Sequence, residues 1–211
     1  MAELKIDLDG DITVAAKSDW AQVASITAEA FADDPVNQWI FGTQSAIKSC
    51  FKIMARDVYV EKGLCHLAGD FGATMWTLPG QKTNSSMLAN LRFACAIAFR
   101  GTRGSLGRAT GLGALMEKHH PKEPHAYLFT VATRRSGRGK GYGKALLTPV
   151  LKACDQASLP VYLENSNPVN SGFYRSQGFE SLGTFNVGKG GPLMEPMWRA
   201  PLDVATDVAS P

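Results

Sequence analysis

Residues 126–157 contain a strand, a glycine-rich basic loop and a helix in direct succession. Residues 126–133, AYLFTVAT, are apolar and rich in β-forming side chains, which predicts a buried strand. The loop at residues 138–143 reads RGKGYG, and a helical pattern runs from residue 144 to residue 157. This order directs several backbone N–H groups and one helix N-terminus at the same point. The sequence therefore predicts a phosphate-binding site at the loop.

Two common glycine-rich phosphate motifs do not match this loop. A P-loop would need glycine at Arg138 and serine or threonine at Ala145. A dinucleotide-binding fingerprint would need a third glycine three residues after a Gly-x-Gly pair, and no pair in residues 137–143 meets that condition. The loop is therefore expected to hold a different phosphate ligand.

The loop does fit Arg/Gln-x-x-Gly-x-Gly, and in this it resembles the pyrophosphate loop of the GNAT family of N-acetyltransferases. The match extends over residues 131–143, VATRRSGRGKGYG, with Arg135 where many members carry proline. A second stretch, residues 167–179, resembles the family's N-x-x-x-x-x-[apolar]-Y-x-x-x-G-F helix at the expected distance downstream. Residues 30–41, AFADDPVNQWIF, resemble the first helix pair of a branch that includes antibiotic-inactivating N-acetyltransferases of the puromycin type.

The resemblance implies a mixed α/β fold, the GNAT acyl-CoA N-acyltransferase fold. In that fold a mostly antiparallel central sheet is splayed between its fourth and fifth strands and flanked by helices. The implied activity is acetyl-CoA-dependent N-acetylation of the primary amine of a small molecule, an antibiotic or a metabolite. The acetyl group would pass directly to the amine in a ternary complex, with acetyl-CoA as co-substrate and no metal.

By the same resemblance, the loop, the preceding strand and the second motif would hold coenzyme A. A backbone N–H of the strand would face the developing oxyanion. Asn167 would contact the pantetheine arm or hold the splayed strands; the alternative is an N-cap to the following helix, and one side chain could do both. The implied cofactor-binding residues are Val131, Ala132, Thr133, Arg138, Gly139, Lys140, Gly141, Tyr142, Gly143, Lys144, Asn167 and Phe173.

Two residues are the candidate catalytic groups. Tyr174 matches the family's tyrosine that protonates the departing thiolate, and the alternative is a core aromatic. Glu164 ends the fifth strand and could accept the amine proton directly or through water, or it could only orient its neighbours. His125 and Glu123, just before the fourth strand, remain candidates for the base.

Three residues of the first helix pair are candidate substrate contacts. In the branch that the chain resembles, the loop between these helices borders the acceptor pocket, which implies Phe31, Asp34 and Trp39. The alternative places Phe31 and Trp39 in the core and makes Asp34 a helix-end residue.

Periodicity and turn residues predict the remaining elements and the domain limits. Residues 1–10 are expected to be a flexible leader, residues 11–200 a single domain with a helical insertion at 81–120, and residues 201–211 a tail. Ser18 is the expected N-cap of the first helix. Strands are predicted at 12–17, 65–67, 72–78, 182–187 and 193–199, and helices at 18–31, 36–41, 44–62, 85–99 and 105–118.

Composition limits the class of protein. The 211 residues are 45% hydrophobic and 19% charged, with a net charge of +3, which suits a globular protein with a polyanionic small ligand and does not call for nucleic acid. The longest apolar run, residues 93–99, is too short to span a bilayer. We expect a cytoplasmic monomer or homodimer.

Cysteine and histidine spacing predict neither a disulfide framework nor a metal site. The four cysteines, at positions 50, 65, 95 and 154, have no CxxC spacing and are interpreted as reduced, buried thiols. His119, His120, Glu123 and His125 lie close in sequence but lack a helical H-x-x-x-H pair.

Two other functions stay open beside small-molecule acetylation. A protein lysine or N-terminal acetyltransferase would need an open acceptor groove, which a helical insertion at 81–120 would disfavour. A binding module would be either a non-catalytic acyl-CoA sensor or an RNA-binding protein that uses the basic residues at 134, 135, 138 and 140. RNA binding would weaken steeply with salt and would use aromatic platforms near the loop.

Overall fold

A mixed sheet of eight strands forms the centre of the computed structural model, which describes residues 4–202. Its strand order is β1-β2-β3-β4-β5-β8-β6, with the short β7 paired to β8, and all pairs except β4–β5 are antiparallel. The strands are β1 Ile12–Val14, β2 Leu64–Ala68, β3 Gly72–Thr77, β4 Ala126–Thr133, β5 Val161–Asn165, β6 Glu180–Ser181, β7 Phe185–Asn186 and β8 Leu193–Arg199.

Helices cover both faces of this sheet. A π-helical turn, Ala55–Tyr59, joins α3 to α4, so the helix predicted at 44–62 is helical throughout but not uniformly α. The helices are α1 Trp20–Ala30, α2 Pro35–Phe41, α3 Gln44–Met54, α4 Val60–Lys62, α5 Met87–Arg100, α6 Ser105–His119, α7 Tyr142–Gln156 and α8 Ser171–Ser176.

Side-chain caps explain where several helices begin. Asp34 accepts a hydrogen bond from the Asn37 N–H at the start of α2, and Ser86 does the same for the third residue of α5. The prediction that Ser18 caps α1 is wrong. A 3₁₀ turn, Lys17–Asp19, precedes that helix, and the Asp19 carboxylate accepts from the Ala16 N–H instead.

The sheet opens between β4 and β5, which confirms the predicted splay. The two strands run parallel and pair only over residues 126–128 and 161–163. From Thr130 onward β4 is paired with β3 alone, and the last two residues of β5, Glu164 and Asn165, are paired with β8 alone. The result is a wedge whose walls are the end of β4 and the end of β5.

A β-bulge in β4 sits at the point where the wedge opens. The register passes from Trp76↔Leu128 to Met75↔Thr130, so Phe129 has no partner in β3. Phe129 stacks on Tyr59, with ring centroids 4.6 Å apart, on the face covered by α1 and α3. Val131, two residues later, packs in the cluster of the opposite face. The bulge therefore turns the end of β4 toward α7.

Two apolar clusters occupy the two faces. The first joins α1, α2 and α3 to the insertion helices and includes Val23, Ile26 and Ile47, each fully buried. The second packs α7 against β3, β4 and β5 through Leu147 and Val150, also fully buried. Burying each such side chain contributes about 1.5–3 kcal/mol, so these faces fix the sheet that carries the site.

The ends of the described chain differ in part from expectation. The closing strand predicted at 182–187 is too long: only β7, Phe185–Asn186, is a strand there, and Gly183, with φ of +103°, lies between it and β6. Residues 4–10 contain no helix or strand, yet Leu4 and Ile6 pack against the second cluster. The predicted tail lies outside the described residues from position 203 onward.

Two further findings concern the cysteines and the helices. Cys50, Cys65 and Cys154 are buried free thiols, but Cys95 is exposed on α5, which corrects the prediction for that residue. Among residues 4–202 none of the helices combines the length and the apolar character that a membrane crossing requires.

Candidate active site

Two cavities meet at the wedge. The first cavity, about 600 Å³, lies between the glycine-rich loop and α8. The second cavity, about 220 Å³, lies on the α1–α3 face beneath the insertion helices α5 and α6. Phe31, Asn170 and Tyr174 line both of them. The Tyr174 side chain therefore stands where contents of the two cavities would meet.

The glycine-rich loop presents unpaired backbone donors to the first cavity. Gly141 is the N-cap of α7 with φ of +86°, and Gly139 has φ of +75°, conformations that favour glycine. Within residues 4–202 the N–H groups of Tyr142, Gly143 and Lys144 have no hydrogen-bond acceptor. A Cβ added at Gly139 or Gly141 would meet no atom within 4 Å, so the loop's outer side is open to a ligand.

Other glycines hold the loop close to its neighbours. A Cβ at Gly143 would lie 3.3 Å from the Phe173 ring, so the start of α7 and α8 touch there. A Cβ at Gly137 would lie 3.1 Å from both Phe71 and Thr133, which packs the loop onto the end of β4. These contacts set the distance between the donor groups and the wedge.

The first cavity has the chemistry that a pyrophosphate-bearing ligand requires. Free N–H groups at a helix N-terminus attract an anion, and the basic side chains of Arg138 and Lys144 line the same space. Among the residues that the resemblance assigned to coenzyme A, the cavity is lined by Val131, Thr133, Arg138, Gly139, Gly141, Tyr142, Gly143, Lys144, Asn167 and Phe173.

Two of the assigned residues lie elsewhere. The Ala132 side chain is 1% exposed and belongs to the core cluster of the other face. The Lys140 ammonium lies 5.8 Å from the Phe71 ring centroid, over its face, outside the residues that line the first cavity. Their side chains are therefore not brought to the ligand space.

Asn167 caps the turn before α8 and also lies at the first cavity. Its Oδ1 accepts a hydrogen bond of 3.1 Å from the Val169 N–H, which caps the 3₁₀ turn Pro168–Asn170. The residue also lines the first cavity. A side chain held in this way is rigid where a ligand would contact it.

Tyr174 is a buried phenol that stays protonated at neutral pH. Its side chain is 8% exposed, and Phe173 and Phe179 pack around it. Burial raises the pKa of the hydroxyl, and the nearby Asp34 carboxylate raises it further. The group can therefore donate a proton but does not act as a base at that pH.

Glu164 is a buried carboxylate at the second cavity. Its side chain is 2% exposed, and Oε2 accepts a hydrogen bond of 2.7 Å from the Tyr127 hydroxyl. Oε1 has no hydrogen-bond partner among the described residues. His120 Nδ1 lies 3.8 Å from Oε1, beyond hydrogen-bond distance. Burial and this carboxylate both raise the pKa of Tyr127.

Two histidines, His120 and His125, lie between Glu164 and solvent. His125 Nδ1 lies 2.6 Å from the Glu123 carbonyl oxygen, which only accepts, so this nitrogen carries hydrogen. Burial lowers the pKa of His125, so its Nε2 accepts from His120 Nε2 at 3.1 Å. We assign the remaining lone pair, on His120 Nδ1, to the side that faces Glu164. The His120 side chain is 35% exposed, so this pair reaches water.

Asp34 and Phe31 reach the cavities, but Trp39 does not. Asp34 is 5% exposed and lines the first cavity, where its hydrogen bonds come from Asn37 and from the Ser166 hydroxyl. Burial raises its pKa against the effect of these bonds. The Trp39 ring instead packs against Gly188 and Gly191 and under the Arg108 guanidinium.

Several site residues had no motif to identify them. Tyr127 orients Glu164, and Ser166 links β5 to α2, yet neither stands at a recognisable spacing. His120 was considered only as a metal ligand. The insertion lines the second cavity with Phe93, Ala109, Leu112, Gly113 and Met116.

Comparison with known proteins agrees with this geometry. The family model described as "Acetyltransferase (GNAT) family" matches residues 76–179, from β3 through α8. An uncharacterized N-acetyltransferase of Schizosaccharomyces pombe is 28% identical, with the alignment covering 76% of this chain and 70% of the relative.

Solved structures share the fold across nearly the whole chain. A structure described as histone acetyltransferase HPA2 and related acetyltransferase, from Corynebacterium glutamicum, has a TM-score of 0.68 at 24% identity, covering 90% of this chain and 96% of that one. The polyamine N-acetyltransferase of Drosophila melanogaster has a TM-score of 0.59 at 13% identity, covering 90% and 100%. These structures show the fold, and the family model that matches residues 76–179, where the glycine-rich loop and the splay of the sheet lie, identifies a GNAT acetyltransferase, for which acetyl-CoA is the implied co-substrate.

Proposed function

We propose that this enzyme transfers an acetyl group from acetyl-CoA directly to the primary amine of a small molecule, with both substrates bound at once. The observation that carries the proposal is the meeting of two separate cavities at Tyr174. Each cavity would hold one substrate, so the reacting atoms would approach one another within the wedge.

Coenzyme A would be held in the first cavity. The unpaired N–H groups of residues 142–144, with Arg138 and Lys144, would bind its pyrophosphate. The edge of β4 that β5 leaves unpaired would meet the pantetheine arm, and a backbone N–H of Val131 or Ala132 is the proposed oxyanion donor. When bound, acetyl-CoA supplies the acetyl group as a thioester.

Direct transfer is favoured over an acyl-enzyme because the cysteine thiol that lines the second cavity is protonated. Cys50 lines the second cavity, but burial raises its pKa to about 12. A thiolate, which is the nucleophilic form, is therefore scarce at neutral pH.

Tyr174 and Glu164 are the proposed acid and base. The Tyr174 hydroxyl holds the proton that the departing sulfur needs. Glu164 Oε1 would take the proton from the amine, since it is buried, unpaired and part of the second cavity. His120 Nδ1 would then receive that proton and release it to water, since the His120 side chain is partly exposed, while its Nε2–H stays bonded to His125.

The small volume of the second cavity supports a small acceptor over a protein chain. Helices α5 and α6 supply part of its wall, and a lysine or N-terminus on a protein would need room for the chain that carries it. Antibiotic amines of the puromycin type belong in an acceptor screen because residues 30–41 resemble that branch. The RNA-binding alternative is weakened because Arg134 pairs with Glu29 and Arg135 with Asp33.

A binding titration with acetyl-CoA tests the proposal first. We expect a saturable rise in Tm with acetyl-CoA, lost in Gly141→Asp because a carboxylate would stand among the phosphate-binding N–H groups. Gly190→Asp is the matched control, since Gly190 also has positive φ and open space around its Cβ position. If the wild type shows no shift and releases no coenzyme A with any amine, the proposed function is wrong.

A further inference from the structure

The second cavity is small and mostly apolar. Its volume of about 220 Å³ exceeds the roughly 150 Å³ of a cavity that accepts benzene, so it has room for a ring with a short chain. Aromatic, aliphatic and thioether side chains form most of its wall, among them Phe31, Met54, Phe93, Leu112 and Met116. Such a wall binds an apolar body and offers little to a polar one.

One carboxylate interrupts this apolar wall. The described residues that line the second cavity include one glutamate, Glu164, and no aspartate, lysine, arginine or histidine. Its Oε1 is buried and has no hydrogen-bond partner among those residues. Burying an unpaired carboxylate oxygen is unfavourable, and a ligand ammonium would supply both the charge and the N–H donor that it lacks.

The single carboxylate of the second cavity also limits how many charged groups the ligand can carry. A second ammonium on the ligand would find no second carboxylate, and a ligand carboxylate would find no cation among the lining residues. Either group would be desolvated without a partner. The Thr130 hydroxyl lines the cavity and is likewise buried without a partner, so a single ligand hydroxyl could be accommodated there.

We infer that the acceptor is a compact, hydrophobic primary monoamine of the arylalkyl or alkyl class, its ammonium paired with Glu164 Oε1 and its body packed among Phe31, Phe93 and Met116. This inference rests on the proposed function. It excludes diamines, longer polyamines and peptides as preferred acceptors.

A matched set of amines tests the inference. Hexylamine, 1,6-diaminohexane and 6-aminohexanoate share a six-carbon chain and differ in the far end, which is apolar, cationic or anionic. In a coenzyme A release assay at fixed pH and acetyl-CoA, we expect kcat/KM for hexylamine and 2-phenylethylamine to exceed that of the other two by about 100-fold. Equal or higher values for the diamine, the amino acid or a short peptide would overturn the substrate class.

The same assay separates this inference from the proposed function. Turnover of the diamine or of a peptide, together with acetyl-CoA binding, would refute the hydrophobic monoamine and leave the acetyltransferase intact. Absence of turnover with every amine and absence of acetyl-CoA binding would refute both.

Ala109→Leu tests whether the body of the amine lies in the second cavity. Ala109 is part of the wall on α6, so added methyl groups would reduce the space for a ring. We expect the ratio of kcat/KM for 2-phenylethylamine to that for propylamine to fall about tenfold. Ala98→Leu, at an exposed position of α5 outside the cavity, is the control and should leave the ratio unchanged. An unchanged ratio in Ala109→Leu would contradict the assignment.

Glu164→Gln tests the ammonium pairing without relying on turnover. In a thermal-shift titration, hexylamine should stabilise the wild type and lose about tenfold or more in affinity for the variant, since a neutral amide replaces the carboxylate. Hexanol, which has the same chain and no charge, should bind both proteins alike. Equal affinity of hexylamine for both would overturn the pairing.

Discussion

The lining residues of the two cavities are distributed along the sequence in opposite ways. Most of the first cavity comes from two short stretches, residues 131–144 and 167–177, that were recognisable as motifs. The second cavity draws its wall from α2, α3, α5, α6, β4, β5 and β8, which are far apart in sequence. A phosphate group is recognised by consecutive backbone N–H groups, whereas an amine with an apolar body needs a surface of many side chains. Motifs therefore led to the proposed coenzyme site, and only the assembled fold shows the second cavity, the proposed acceptor site.

Substitution of Tyr174, at the boundary between the two cavities, should have the largest effect on kcat. Tyr174→Phe removes the proton donor and leaves the ring, so kcat should fall by about 10²–10⁴-fold while acetyl-CoA affinity stays near its wild-type value. Steady-state kinetics and a thermal-shift titration measure the two quantities. Unchanged kcat across the pH range would show that Tyr174 is a core residue, the alternative left open by its sequence.

The free energy of unfolding should fall in acid because of His66, a buried histidine in β2. His66 is fully buried in β2, neither ring nitrogen has a described partner, and burial lowers its pKa from 6.5 to about 4. The unfolded chain then binds more protons between these values. Stability is therefore fully present above about pH 6.5 and falls by about 3 kcal/mol as pH drops to about 4.

Replacement of the imidazole isolates this effect. In His66→Leu the decline of urea-unfolding free energy between pH 6.5 and pH 4 should be smaller than in the wild type by about 3 kcal/mol, because the titrating group is gone. Identical slopes for the two proteins would mean that the His66 imidazole does not titrate as the burial indicates. Activity at pH 7.5 serves as the check that the variant is folded.

Turnover should depend on His120, the proposed proton path from the second cavity to water. His120→Phe removes the nitrogen that faces Glu164, so kcat should fall about tenfold and be partly restored by imidazole in the buffer. His119→Phe is the matched control, because His119 stacks on Phe185 and bonds to the Leu115 carbonyl rather than to the relay. A decline in His120→Phe without rescue would indicate a structural role.

The smallest expected effect is a change in KM that distinguishes Phe31 from Trp39, two aromatic residues of the first helix pair. Phe31→Leu should raise KM for the amine about threefold to tenfold, since Phe31 lines both cavities. Trp39→Leu should lower Tm through lost packing against Gly188 and leave KM within about twofold. A raised KM in Trp39→Leu would return that residue to the list of substrate contacts.

The fold was largely predictable where local chemistry dominates. The β2–β3 hairpin, the helices of the insertion and the loop before α7 appear where turn residues, periodicity and glycines indicated. The errors have local causes as well. Gly183 interrupts the closing strand, and Asp19 rather than Ser18 satisfies the N–H at the start of the first helical segment.

The candidate site was predictable only in part. Arg138, Gly141 and Asn167 could be assigned because a coenzyme-binding motif is continuous in the chain. Trp39 could not be distinguished from a substrate contact, since whether an aromatic ring faces a cavity or a glycine loop depends on residues 149 positions further along, at Gly188. The β-bulge at Phe129, which turns Val131 toward α7, likewise follows from pairing with β3 and not from the strand's own pattern.

Consecutive residues of this chain determined the glycine-rich loop with its free N–H groups, the proposed site of acetyl-CoA, because its glycines and N–H groups act within one turn of backbone. The partners of Glu164 could be specified only by folding. Tyr127, His120 and the walls from α5 and α6 converge on that carboxylate from separate elements, and burial leaves one of its oxygens without a partner. That combination of charge and apolar surface exists in no single segment, and the proposed selection of the amine depends on it.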